Sequence, residues 1–382
     1  MIKKYITTFV LFIFVASTAY SQEKLESTDK KPFIVFSPDS IDDGRPLLTP
    51  FITPGFTPEL GAIVAGGGFL SFKTDRNDKD LDRSTVPISF SYSTSGAIAL
   101  ISKPIIYFKN KVLFLESDLW YKSMPDNYFG VGFTETIDKE KGPATSYFRD
   151  WWWVSPKLFW EFKENFVIGA GFDFNSTKGS QESDEILADE YYMKYKDKPY
   201  NAGIGFVLRY DSRDMPANTY TGLYIDLRAT YYQSFMGGDN VYNIYDLDVR
   251  DFIQIGKPGQ LLALQARIRI GYGDVPIGEM SMLGSPTDLR GYLWGRLRDK
   301  SMAYSIAEYR HKFYWKGEES RHMFVTWVGA GTIFNNNTET YYLAPNFGIG
   351  YRLDIQPRTS FRLDYGIGQN TTGIYFNFQQ AF

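Results

Sequence analysis

Thr371-Thr372-Gly373-Ile374-Tyr375-Phe376-Asn377-Phe378-Gln379-Gln380-Ala381-Phe382 alternates apolar and polar residues at period two. Ile374, Phe376, Phe378 and Phe382 fall on one face of an extended strand, and Tyr375, Asn377, Gln379 and Ala381 on the other. Such a strand fits a soluble two-layer sandwich or the wall of a transmembrane barrel, so the rest of the chain has to decide between them.

The same alternation recurs along most of the sequence. Leu223, Ile225, Leu227, Ala229 and Tyr231 oppose Tyr224, Asp226, Arg228 and Thr230. Leu262, Leu264, Ala266, Ile268 and Ile270 oppose Gln265, Arg267 and Arg269, and Phe347, Ile349, Tyr351 and Leu353 oppose Gly348, Gly350, Arg352 and Asp354. Turn punctuation places strands near 60–73, 84–93, 96–107, 111–123, 128–136, 147–161, 165–176 and 201–212. The others fall near 220–233, 241–255, 260–273, 302–314, 322–334, 342–354, 359–367 and 372–382. That is about sixteen, an even number as barrel closure requires. Short connections, such as Gly256-Lys257-Pro258-Gly259, interleave with long polar ones near 74–84, 176–200 and 273–302. Short turns at one end and long loops at the other are a barrel's asymmetry.

The opening residues, taken together with the terminal aromatic strand, settle the choice for the barrel. Met1-Ile2-Lys3-Lys4 is basic, an apolar run follows to about Tyr20, and Ala19-Tyr20-Ser21 is a small-residue cleavage pattern. Residues 1–21 therefore read as a Sec signal peptide, with no Cys after it to carry a lipid. Residues 22–51 read as a short polar, Pro-containing periplasmic tail or plug, and 52–382 as the barrel domain. Beyond the signal no apolar run reaches 18 residues, and mean hydropathy is -0.29, which excludes spanning helices but not spanning strands. Aromatics make up 18% of the chain, with 28 Tyr and 31 Phe, as interfacial girdles would need. A formal net charge of -3 gives no case for nucleic acid, and the absence of Cys excludes disulfides and thiolate metal sites. The expected fold is an all-β, transmembrane antiparallel barrel in the outer membrane of a Gram-negative bacterium, with outer-membrane lipid as its surroundings.

Two sets of residues carry a resemblance. The terminal strand is similar to the outer-membrane assembly signal, with Gly373, Phe376, Phe378 and Phe382 in the matching places. That implies recognition by the barrel assembly machinery during the chain's own insertion. Within the longest loop stand Leu283-Gly284-Ser285-Pro286-Thr287-Asp288-Leu289-Arg290-Gly291-Tyr292 and Gly295-Arg296-Leu297-Arg298-Asp299, followed by Ala307-Glu308-Tyr309-Arg310 in the next strand. Further matches are Phe56-Thr57-Pro58-Glu59-Leu60-Gly61, Pro125-Asp126-Asn127-Tyr128-Phe129-Gly130-Val131-Gly132 and Tyr210-Asp211-Ser212-Arg213-Asp214 with Gly222. As a set, spanning about residues 52–382, these resemble the BamA/TamA superfamily, in a short form without POTRA or patatin domains. The resemblance implies that the long loop folds back into the lumen, and that Leu289, Arg290, Gly291 and Tyr292 form its tip. An Arg in a lumen needs a carboxylate, because a buried unpaired guanidinium is costly. Family members often place an Asp in Phe-x-Asp-x-Gly one strand further on. Here Phe324-Val325-Thr326-Trp327-Val328-Gly329 sets Gly329 where the acid would stand, so Glu308, on the lumen face by alternation, is the expected partner.

The resemblance implies assistance to insertion or translocation of a protein or lipid by opening between first and last strands. Gly66, Gly67 and Gly68 in the expected first strand, with Gly373 in the last, mark that seam as weak. One alternative is a diffusion channel lined by Arg228, Arg267, Arg269, Arg352 and Arg362; another is a structural, partner-docking subunit. Homo-oligomers and an unknown protein client stay open. No nucleophile elbow is present. His311 and His322 lack metal-ligand spacing and read as strand and turn residues, so no enzyme activity, cofactor or metal is expected.

Overall fold

In the computed structural model, residues 44–57, 60–108, 112–133, 145–335, 342–356, 358–378 and 380–382 are described. The signal peptide and most of the expected periplasmic tail lie outside them. Sixteen antiparallel strands close into a barrel. They are β1 Leu47–Thr57, β2 Gly61–Phe72, β3 Ser84–Ser93, β4 in two pieces (Ile98–Ser102 and Ile105–Tyr107), β5 Leu113–Tyr128, β6 Thr145–Lys163, β7 Phe166–Ser180 and β8 Tyr200–Asp211. The circuit continues with β9 Gly222–Tyr232, β10 Tyr242–Gln254, β11 Gln260–Gly273, β12 Ser301–Trp315, β13 Glu318–Phe334, β14 Ala344–Gln356, β15 Thr359–Gly368 and β16 Thr371–Phe378. Pro104, which has no N–H to give the ladder, interrupts β4.

Period two becomes inside and outside. Along β11, Leu261, Ala263 and Gln265 are buried toward the lumen, while Ala266, Ile268 and Ile270 are exposed outward. Val328 and Phe172 on the outer face are each 63% exposed, a cost in water and a gain in lipid. Inward charges pair between neighbouring strands, as Arg209 with Asp226 at 2.8 Å and Arg267 with Asp246 at 2.6 Å, and across the lumen, as Arg209 with Glu116 of β5 at 2.8 Å.

Two expected strands need correction. The first strand is Leu47–Thr57, not 60–73. Pro50 and Pro54 break its alternation and disguised it as a tail. No separate strand occupies the described part of 128–136, because β5 runs on to Tyr128 and residues 129–133 have left the ladder. The two errors cancel in the count. They do not cancel at the seam, because Gly66, Gly67 and Gly68 sit in β2 and not at the barrel's edge. Gly67 lets β3 approach closely, since a Cβ there would collide with the Ile88 carbonyl.

The true seam joins β1 to β16. β1 pairs with β2 over its whole length, from Leu47↔Ser71 to Thr57↔Gly61. With β16 it shares a single register pair among the described residues, Phe56↔Phe376. Pro50 and Pro54 remove two backbone donors from this strand.

Candidate functional site

The connection from β11 to β12 enters the barrel. A short antiparallel ribbon, Ser281–Leu283 against Leu297–Asp299, carries residues 284–296 inward, and Leu283, Leu289, Tyr292 and Leu297 are wholly buried. Asp288 shapes the tip: its Oδ1 accepts from the Gly284 and Ser285 N–H groups at 2.9 and 2.7 Å. Gly291 has φ +114°, and a Cβ there would lie 2.8 Å from the backbone of Gly366 and Gly368. Only glycine fits both the conformation and the gap.

The wall is shaped to receive this tip. A Cβ on Gly366 would stand 2.5 Å from the Arg290 carbonyl, so a side chain there would expel the loop. The Gly291 N–H donates to the Tyr375 hydroxyl at 2.9 Å, and Thr371 Oγ1 donates to the Gly291 carbonyl at 2.9 Å. Tyr292 donates to the Pro345 carbonyl at 2.8 Å. The Arg290 carbonyl accepts from Asn346, which in turn accepts from the Trp327 indole at 2.9 Å. The loop tip is thus bonded to β16 itself.

Arg290 is fully buried and bridges two carboxylates. Nη2 lies 2.6 Å from Glu308 Oε2 and Nη1 lies 2.9 Å from Asp364 Oδ2. Its guanidinium sits 3.5 Å over the Trp327 ring. Three more arginines complete the cluster. Arg310 Nε meets Glu308 at 2.8 Å, Arg352 Nη1 meets Asp364 at 2.5 Å, and Arg362 Nε lies 3.6 Å from Asp364. Arg310 also donates to the Phe382 carbonyl at 2.9 Å, and Arg352 to the Gln380 side chain at 3.0 Å. One buried network therefore joins the loop tip, the lumen wall and the residues that follow β16.

Among the residues singled out from sequence, Leu289, Arg290, Gly291, Tyr292 and Glu308 come together here, and Gly373 lies beside them, where a Cβ would meet the Tyr375 hydroxyl at 2.5 Å. Phe382 departs from the expected face. β16 ends at Phe378, so period two lapses, and Phe382 turns into the lumen to pack 6.4 Å from Phe252. Asp364, Arg310, Trp327, Asn346 and Tyr375 went unrecognised as site residues. The missing family acid is replaced twice over: Trp327, two positions before Gly329, gives an aromatic face, and Asp364 gives the second carboxylate. Asp364 and Arg362 share the inward parity of β15, which was the available signal. His311 and His322 bond to Tyr309 and Tyr351 instead of to each other.

The opposite wall holds the loop's base. Arg298 reaches Asp126 of β5 at 3.2 Å, and Arg149 of β6 donates to the Gly278 carbonyl at 2.6 Å. Burial pushes the nearby Glu279 carboxyl up to about 7, with Arg269 at 3.8 Å working against that rise. Space remains beside the loop. One cavity of about 260 Å³ is lined by Arg228, Arg267 and Arg269, and another of about 270 Å³ by Lys157, Arg209 and Arg228. Arg352 and Arg362, expected as pore residues, line neither; both are sealed beneath the loop.

Comparison with known proteins agrees with this architecture. The chain is similar in fold to BamA from Haemophilus ducreyi lacking POTRA domains 1–3, at TM-score 0.61 and 14% identity over 88% of this chain and 70% of that one. It is also similar to CdiB from Escherichia coli (TM-score 0.62, 9% identity, 87% and 62%) and CdiB from Acinetobacter baumannii (0.52, 11%, 87% and 59%). The chain thus spans less than two thirds of either CdiB structure. No curated protein sequence matches it. The model of the Omp85 superfamily domain matches residues 69–382. With a closed sixteen-strand barrel behind that match, the chain belongs to the Omp85 superfamily, as an outer-membrane β-barrel of that type.

Proposed function

We propose that this barrel assists the insertion or translocation of a protein or lipid at the outer membrane by opening between β1 and β16. The observation that carries the reading is the seam: one register pair among the described residues, Phe56↔Phe376, where the same two strands make 11 pairs with β2 and 8 with β15 on their other edges. Few hydrogen bonds need be given up to part these strands, and the first strand's prolines keep the ladder from extending. Because Tyr375 of β16 holds the loop tip, movement of the last strand is coupled to the loop.

A disulfide between Phe56→Cys and Phe376→Cys tests it, since the native chain has no Cys to compete. Registered partners meet the geometry a disulfide needs. The expected result is a folded barrel, checked by heat-modifiable gel mobility, whose biological role is lost when oxidised and restored by reductant. Full activity of the oxidised form would overturn seam opening.

The cavities beside the loop favour the channel reading as the second candidate. With the loop spanning the lumen, purified protein in planar bilayers is expected to give small or erratic conductance. Large, steady pores would favour a channel instead.

A further inference from the structure

Asp251 faces lipid. Along β10, Tyr242, Ile244, Asp248 and Phe252 are buried toward the lumen, and Asp251 takes the opposite parity with Tyr245 and Ile253, which are exposed. Its partners in register are Leu223 of β9 and Leu264 of β11. Ile253 and Ile255, both exposed, continue the apolar surface past it toward the end of the strand. Among the described residues no side chain donates to its carboxylate. A carboxylate on the apolar band of a barrel is disfavoured unless something cationic meets it.

Next to it the outer surface is hollow. Asp251 borders an open groove of about 610 Å³ that crosses β10 to β13. Small side chains, Ala266, Ser305, Ala307 and Ala330, form its floor, and Val328 forms a wall. Ala266 and Ser305 are exposed, so the groove opens outward and not into the lumen. Its lining is apolar apart from Ser305, the carboxylate at the rim and Gln265, whose side chain is buried on the lumen side, where it donates to Asp248.

We infer that this groove binds a phospholipid bearing a primary ammonium head group, with the ammonium on Asp251 and an acyl chain along the small-residue floor. The charge fixes the head group, since an unpaired anion at the rim selects a cation and disfavours an anionic lipid. The floor fixes the tail, because small side chains let a hydrocarbon approach the sheet closely. The site is independent of the seam and holds whether or not β1 and β16 part.

Native mass spectrometry of the full barrel released from nanodiscs of equal phosphatidylethanolamine and phosphatidylglycerol tests it. Wild type is expected to retain phosphatidylethanolamine in preference. Asp251→Asn should lower that retention about tenfold, the scale of one charge-assisted hydrogen bond, and abolish the preference. Ala307→Leu, which fills the floor and leaves the carboxylate, should lower retention too. Removing an unpaired charge from the lipid face does not threaten folding, so Asp251→Asn stays informative. Equal retention of the two lipids by wild type, or unchanged retention in Asp251→Asn, would overturn the site. A photo-crosslinker at Ser305 in cells is expected to label lipid; labelling of a protein alone would assign the groove to a protein partner and overturn the proposal.

Discussion

Glu308→Gln and Asp364→Asn are each expected to destabilise the barrel by about 3 to 5 kcal/mol, the cost of leaving a buried charge without its partner. Four guanidinium groups, those of Arg290, Arg310, Arg352 and Arg362, share two carboxylates in this cluster, all of them nearly inaccessible to water. Loss of either anion strands cations that water cannot reach. Arg290→Ala acts differently. It leaves three guanidinium groups on two carboxylates, a better balance for the wall, but removes the one group that bridges both acids from the loop. That variant should keep its heat-modifiable mobility and gain protease cleavage between about Gly284 and Asp299. Arg290→Lys should not restore protection, because a point ammonium cannot span Glu308 and Asp364 as the planar fork does. Combining Arg290→Ala with Glu308→Gln should cost less than the sum of the two, since the first relieves the excess charge that the second creates. Strictly additive losses, or a protected loop in Arg290→Ala, would show that the loop is held by its backbone contacts to β15 and β16 alone.

The fold was legible because a barrel writes its wall into the sequence at period two, as β11 does from Gln265 to Ile270. β1 was illegible for a local reason: Pro50 and Pro54 interrupt the alternation in a stretch that also follows a polar segment. The candidate site was half legible. Arg290 and Glu308 lie 18 residues apart, on a loop and the strand it feeds; parity aims Glu308 at the lumen, and the family resemblance implies that the loop brings Arg290 there. Asp364 lies 74 residues from Arg290, and it joins the site through the registers of β12 to β15, which set Arg310, Val325, Gly350 and Asp364 in one row. Parity says which way a side chain points; it does not say which inward residues share a level. Trp327 and Tyr375 escaped for a related reason. An aromatic residue on a barrel strand suggests a membrane girdle, yet these two face inward and serve as a cation platform and a hydroxyl acceptor for the tip.

Replacing Phe376 and Phe378 together with Ser is expected to abolish the folded barrel in the outer membrane, a near-complete loss of the heat-modifiable band. Phe376 stacks on Phe361 of β15, with ring centroids 5.6 Å apart and planes 17° from parallel, and it is the residue of β16 in register with Phe56. The backbone of Phe378 pairs with Phe361 at the strand's end. Two effects are therefore mixed in one variant: lost recognition of the terminal strand during assembly, and lost packing along β15, β16 and the seam. Refolding of purified protein into detergent micelles separates them, because no assembly machinery is present there. If recognition dominates, the double variant should refold in micelles to nearly the wild-type extent while failing in cells. Failure in both settings would assign the effect to packing, and normal assembly in cells would remove the terminal strand's role as a signal. Deleting Phe382 should likewise block assembly in cells. In micelles it should yield a barrel with a loosened loop, since Arg310 loses the carbonyl to which it donates and Phe252 loses its neighbour in the lumen.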